Sequence, residues 1–152
     1  MIPPERRLVV AAAIVDDLVR PTLVLAARRT GPPELAGRWE FPGGKVESAE
    51  DPVAALHREI AEELGLTVVL GPELLPDSAV GSRWRLSETW EMRLWVAAVV
   101  AGEVAGSTDH DQLRWVRADD LAGLDWLPGD RAAAAQLGSL LTTASGDGSS
   151  SG

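Results

Sequence analysis

The sequence predicts an α/β sandwich built on a mixed β-sheet. Three observations carry that expectation: several short apolar runs of strand length, one amphipathic helix in mid-chain, and a second helical segment near the end. Leu8 to Val15 is apolar throughout and rich in Val and Ile, the pattern of a strand buried on both faces. Asp16-Asp17 reads as a turn, and Thr22 to Ala26 as a second strand pairing back on the first. Thr30 to Gly37 is a loop, punctuated by Gly31, Pro32, Pro33 and Gly37, and Pro42-Gly43-Gly44 reads as a tight turn.

The mid-chain helix spans about Glu50 to Leu64. Ser48 or Asp51 caps it, Pro52 falls in the first turn, where a missing N–H is harmless, and Gly65 ends it. Val53, Leu56, Ile60 and Leu64 recur at three- and four-residue spacing and make one apolar stripe. Leu66 to Leu70, Trp90 to Val100 and Leu113 to Val116 read as strands, with an acidic loop from Gly102 to Asp111. A last helix runs from Asp130 or Arg131 to Leu141. Residues 1–141 form one domain in this reading, and the Ser/Gly-rich tail 142–152 is expected to be disordered.

Composition narrows the function. With 152 residues, 45% of them hydrophobic and 24% charged, the chain is an ordinary globular domain. It has no cysteine, which excludes disulfides, thiolate metal sites and thiol nucleophiles. No apolar run approaches the roughly 20 residues of a membrane span, and the first residues lack a secretory pattern; a cytoplasmic protein without a membrane partner is expected. A net charge of −9 argues against nucleic-acid polymers as partners, because their binding needs a positive surface to displace counterions. The same charge repels a free triphosphate unless bound cations intervene.

Such cations have an obvious place to bind. Glu59, Glu62 and Glu63 fall at i, i+3 and i+4 and share one helical face, where they repel one another. Hard oxygen ligands gathered in this way suit Mg²⁺ or Mn²⁺. Taken alone, the three glutamates also fit a solvated acidic face with ordinary ion pairs, Arg58 being one partner. The wider segment distinguishes the two. Gly44, Glu50, Arg58, Glu59, Ile60, Glu62, Glu63, Gly65 and Leu66 match, without a gap, the Nudix box: Gly, five residues, Glu, seven residues, Arg-Glu, an apolar residue, any residue, Glu-Glu, any residue, Gly and an apolar residue. Seven fixed identities at about one in fifteen each put a chance match on the order of 10⁻⁸ per start position.

Over residues 8–141 the chain resembles the MutT-like Nudix hydrolases, and the stretch from Arg28-Arg29 through Trp39-Glu40-Phe41-Pro42-Gly43-Gly44 is similar to that group without a gap. The resemblance implies the Nudix α/β/α sandwich. It implies metal ligation by Glu59, Glu62, Glu63 and the Gly43 carbonyl, with an added acid before the late Trp115 strand: Asp109, or Asp111 as a second candidate. It implies attack of water on a nucleoside triphosphate at the β phosphorus, releasing monophosphate and pyrophosphate. Glu59 is the expected general base, Arg58 orients it, and Glu62 completes the catalytic set. Glu50 reads as a brace between turn and helix, and Lys45 as a phosphate-facing or exposed cation.

Substrate marks are fewer. The chain has no tyrosine, unlike the dinucleoside-polyphosphate branch, and Gly81 stands where ADP-ribose hydrolases carry a proline. What remains is similar to the 8-oxo-dGTP, dCTP and CTP pyrophosphohydrolases. Arg29, Phe41 and Asp130 fall at nucleotide-pocket positions of that group, and Asp130 replaces the asparagine of MutT itself. Asp130 also fits a plain helix N-cap, and Phe41 and the six tryptophans also fit a hydrophobic core. His57 reads as an exposed helix residue and His110 as a loop residue beside an acid. A Nudix-fold binding module without catalysis, and a hydrolase of another nucleoside diphosphate derivative, are the alternatives.

Overall fold

β1 (Arg7–Ile14) puts Val10, Ala12 and Ile14 on one face and Ala11 and Ala13 on the other, and all five are buried. Burial on both faces is why its sequence is apolar without alternation. The computed structural model describes residues 7–77, 83–104 and 110–141. Gly81, Asp109 and the tail 142–152 lie outside the described residues.

After β1 come β2 (Leu23–Arg29), β3 (Trp39–Glu40) and β4 (Gly43–Lys45), then α1 (Pro52–Leu64). β5 (Thr67–Leu74), β6 (Trp84–Arg85), β7 (Trp90–Ala101) and β8 (His110–Arg117) follow, and α2 (Ala118–Leu121) and α3 (Pro128–Gly138) close the described chain. One sheet runs β4-β1-β7-β5, with β6 added on β7. It is mixed, because β1 and β7 are parallel while β1 with β4 and β5 with β7 are antiparallel. A second, antiparallel sheet runs β3-β2-β8.

The expected hairpin of β1 with β2 does not form. β2 belongs to the other sheet, and among the described residues its backbone pairing with the end of the first strand is limited to a Val15–Val24 bridge and the Asp16 N–H donating to the Leu23 carbonyl. The Asp16 carboxylate accepts from the backbone N–H of Thr22 and of Leu23, at 2.9 and 3.0 Å, and so closes a wide turn that delivers β2 to β8. Pro42-Gly43-Gly44 also differs from expectation: the glycines are strand residues, paired through Ala11–Gly43 and Val10–Gly44. A Cβ on Gly43 would overlap the Val10 carbonyl oxygen and the Ala11 Cα, so that glycine permits close backbone approach.

Helices cover both sides. Leu56, Ile60 and Leu64 of α1 pack with Val10, Ala12, Ile14 and Leu25. Ala133, Ala134 and Leu137 of α3 pack with Ala11, Ala13, Val24, Met92 and Trp126 in a second core. Val53 is 37% exposed and does not join the stripe, where Ala55 takes part instead. α3 begins two or three residues earlier than expected, at Pro128, and ends three residues earlier, at Gly138. Among the described residues no helix is long and apolar enough to cross a membrane.

Candidate active site

α1 is held at both ends by the residues its sequence offers. The Asp51 carboxylate accepts from Ala54 N–H at 3.1 Å, which decides the cap between Asp51 and Ser48. Gly65 takes the left-handed conformation, φ 67°, and returns its N–H to Ala61. With the apolar stripe buried on the sheet, Arg58, Glu59, Glu62 and Glu63 line a cleft opposite the glycine strand β4. Glu59 lies deeper than Glu62, their side chains being 15% and 61% exposed. A Cβ on Gly44 would overlap the Glu59 carboxylate, so the missing side chain of Gly44 is the space that carboxylate fills.

Arg58 holds the acids in order. Its Nε and Nη2 donate to both oxygens of Glu50, at 2.7 and 2.9 Å, and Nη2 also reaches the Lys45 carbonyl at 3.3 Å. Its Nη1 lies 3.1 Å from Glu62 and 3.6 Å from Glu59. Glu50 further accepts the Glu47 N–H at 3.0 Å, so it ties the loop after β4 to α1, the brace its position suggested. The Arg58 guanidinium, and after it the Glu47 N–H, pull the Glu50 carboxyl down to about 2. Glu59 moves the other way: burial raises it, Arg58 opposes, and Glu62 adds to the rise.

The far end of the cleft is built from the small sheet and α3. Arg29 Nε donates to the Gly31 carbonyl at 3.0 Å, and its Nη1 bonds both Glu40 oxygens, at 3.1 and 3.3 Å. Phe41 is 3% exposed and packs on Trp126 with ring centroids 4.8 Å apart. Asp130 is 7% exposed, and one of its oxygens accepts from the Phe41 N–H at 3.2 Å. Asp130 is not the N-cap of α3; Leu127 is, without a side-chain bond, and Asp130 sits in the first turn facing Phe41. Burial, and secondarily the charge of Glu40, push its carboxyl up to about 7, against weaker opposition from the Phe41 N–H and Arg29. His110 departs from expectation too. It is 1% exposed, opens β8, and sets Nε2 2.8 Å from Glu40 Oε2.

Glu59, Glu62, Glu63, Arg58 and Gly43 thus share a cleft of about 1000 Å³ with Arg29, Phe41 and Asp130. Asp109 lies outside the described residues, and the alternative acid, Asp111, is engaged by Arg28 through two bonds of 2.8 and 3.0 Å. Among the described residues the acids do not form a closed cation cage by themselves, and Glu62 is paired with Arg58 at 3.1 Å. The donor set still fits a hard divalent ion: carboxylates on one helical face, opposite backbone whose glycines leave room beside them. The sequence reading assigned Glu40 no part in the site and took His110 for a loop residue, so their pairing at the cleft was missed. Glu40 lay inside the matched stretch with no role of its own, in a strand that the sequence reading did not include, and the burial of His110 has no local sequence mark.

A family model, the NUDIX domain, matches residues 5–137. A provisionally named 8-oxo-dGTP diphosphatase 2 of Mycobacterium tuberculosis is 44% identical over 141 residues, covering 93% of this chain and 94% of that protein. The CTP pyrophosphohydrolase of Escherichia coli is 45% identical over 62 residues, covering 41% of this chain and 44% of that one. The crystal structure of a MutT Nudix hydrolase from Burkholderia pseudomallei superposes with TM-score 0.65 and 32% identity, over 88% of this chain and 99% of that one. With an uninterrupted box on α1 and the glycine strand facing it, the chain belongs to the Nudix hydrolase family.

Proposed function

We propose that this Nudix hydrolase is a Mg²⁺-dependent nucleoside triphosphate pyrophosphohydrolase that acts on 8-oxo-dGTP and on dCTP or CTP. The observation that carries the reading is the juxtaposition in one cleft of the Glu59 carboxylate, seated against Gly44, with an Arg29–Phe41–Asp130 cluster at the other end. The M. tuberculosis relative is named for 8-oxo-dGTP and the E. coli relative for CTP, which supports the same substrate class.

Glu59, Glu62, Glu63 and the Gly43 carbonyl would hold Mg²⁺ (or Mn²⁺), with Asp109 as an added ligand. Bound there, the metal would neutralise phosphate charge and activate water. Glu59 takes the proton of the attacking water; its partly buried position raises its proton affinity, as a general base needs. Arg58, anchored on Glu50, restrains the Glu59 and Glu62 side chains. The water oxygen bonds to the β phosphorus while the bond from that phosphorus to the α–β bridging oxygen breaks, and the monophosphate leaves with that oxygen. Phe41 and Asp130 hold the base edge, with Arg29 beside them.

A panel of nucleoside triphosphates, nucleotide sugars and 5′-triphosphorylated RNA, scored for pyrophosphate release in ¹⁸O-water with Mg²⁺, tests this. Pyrophosphate carrying the label, from 8-oxo-dGTP and dCTP or CTP ahead of dGTP, is the expected result. Label confined to the monophosphate refutes attack at the β phosphorus, and no turnover of any triphosphate refutes the reading.

A further inference from the structure

Two buried side chains among the described residues are polar or charged, His110 and Asp130, and both converge on one place. Asp130 sits where the charges of Glu40 and Arg29 act on it, and His110 is in direct hydrogen-bond contact with Glu40. Arg29, Glu40 and His110 come from the ends of β2, β3 and β8. The register of β2 on β8 shifts between Arg28 and Arg29, so that Arg29 comes to stand opposite His110; irregularities of this kind re-aim a side chain. A polar residue is costly to bury unless it is bonded, so an apolar residue would fill this position of β8 more cheaply if packing were its only role.

We propose that His110 is a positioning residue for nucleotide recognition, fixing the Arg29 guanidinium at the base end of the cleft by way of Glu40. The inference rests on the nucleotide reading above. His110 Nε2 grips Glu40 Oε2 at 2.8 Å, and Glu40 in turn engages Arg29 Nη1 through both oxygens. With Nε committed to the Gly31 carbonyl, the guanidinium plane is held at two points. Its Nη2 is thereby aimed rather than free to swing, and an aimed donor discriminates a base carbonyl from an amino group. His110 itself touches no substrate in this scheme.

The test compares His110→Leu, His110→Gln and Glu40→Gln in the full chain. Two readouts are used: steady-state kinetics on the nucleotide that the wild type turns over best, and calorimetric binding of dCMP and 8-oxo-dGMP without metal. His110→Leu fills the space but removes the bond, so KM and the monophosphate Kd should each rise roughly tenfold, about the factor for losing one hydrogen bond to a charged group. The kcat should stay within about twofold, because the interaction acts on binding. His110→Gln, whose Nε2 can reach the same carboxylate, should recover most of the affinity. A merely structural role predicts less active protein, hence lower apparent kcat at unchanged KM. A cooperatively melting His110→Leu with wild-type KM and Kd overturns the proposal. Should that variant not fold, unchanged KM and Kd in Glu40→Gln overturns it equally. Wild-type protein that neither turns over a triphosphate nor binds either monophosphate removes the nucleotide reading beneath it, which the wild-type arm reports separately.

Discussion

At the scale of single residues, adjacent glycines in β4 serve different ends, and substitution separates them. Gly43→Ala drives a methyl into the backbone of β1, which cannot yield, so a loss of several kcal/mol of stability is expected, as for other overpacked sites. For Gly44→Ala the three atoms nearest the new methyl all belong to the movable end of Glu59. The melting temperature of that variant should stay near wild type while turnover falls tenfold or more (about 1.4 kcal/mol in the barrier); equal destabilisation of both variants in urea titrations would contradict this assignment. Asp130 makes a pH-dependent case. Its carboxyl is raised from 3.8 to about 7 in the fold, so between those values the native state keeps a proton that the unfolded chain gives up. Its contribution to stability is therefore full below about pH 4, declines as pH rises towards 7, and is flat above. Asp130→Asn should remove that slope and gain stability over wild type at about pH 8 in urea unfolding. The Asn oxygen can still accept from Phe41 N–H. In the proposed pocket, ionised Asp130 accepts from an amino group, whereas the protonated form donates to a carbonyl. The ratio of kcat/KM for dCTP over dGTP should accordingly rise between about pH 6 and about pH 8 in wild type and stay level in Asp130→Asn.

At the scale of elements, α1 carries the acids of the proposed metal site, and its own ends secure it. Asp51→Ala deletes the acceptor for Ala54 N–H and should cost about 1 kcal/mol. For a domain of this size that is a melting temperature lower by about 4 °C. Because the acids sit further along the helix and are braced by Arg58 and Glu50, kcat at room temperature should be unchanged in samples matched for folded fraction. A fall in kcat without a fall in melting temperature would show that the cap positions the acids rather than the helix. The small sheet contributes in another way. Its strand ends gather Arg29, Glu40 and His110, which lie far apart in sequence, at the proposed base end of the cleft.

At the scale of the whole molecule, an acidic protein with a net charge of −9 concentrates several of its carboxylates around one cleft. A divalent ion that binds only the native state should raise the melting temperature as its concentration rises, by mass action. Scanning calorimetry against Mg²⁺ and Mn²⁺ should show that rise in wild type and a much smaller one in Glu62→Gln, which keeps shape and loses charge. The same variant should lose turnover on the order of 100-fold, as removal of a group bearing on a metal does. Wild-type thermal shift and near-normal turnover in Glu62→Gln would remove Glu62 from the ligand set.

Local sequence determined a good deal of this protein. Helix α1, its glycine stop and the shared face of Glu59, Glu62 and Glu63 are readable because helical periodicity and capping act within a few residues. The strands β1 and β7 are likewise legible as apolar runs, whereas β8 is legible only at Leu113 to Val116, its start at His110 reading as loop; the box spacing marks the family before any contact is seen. Which strand pairs with which was not legible. β2 reads like a hairpin partner of β1, yet joins β8, because register follows from long-range burial rather than from the turn at Asp16. Nor could sequence tell that the Gly43-Gly44 pair is strand backbone, one glycine admitting β1 and the other admitting a carboxylate. Asp130 and His110 show the same limit. Their residue types are compatible with a cap and an exposed loop, and only packing against Phe41 and Glu40 shuts them away from water, since burial belongs to the whole fold and not to the local chain.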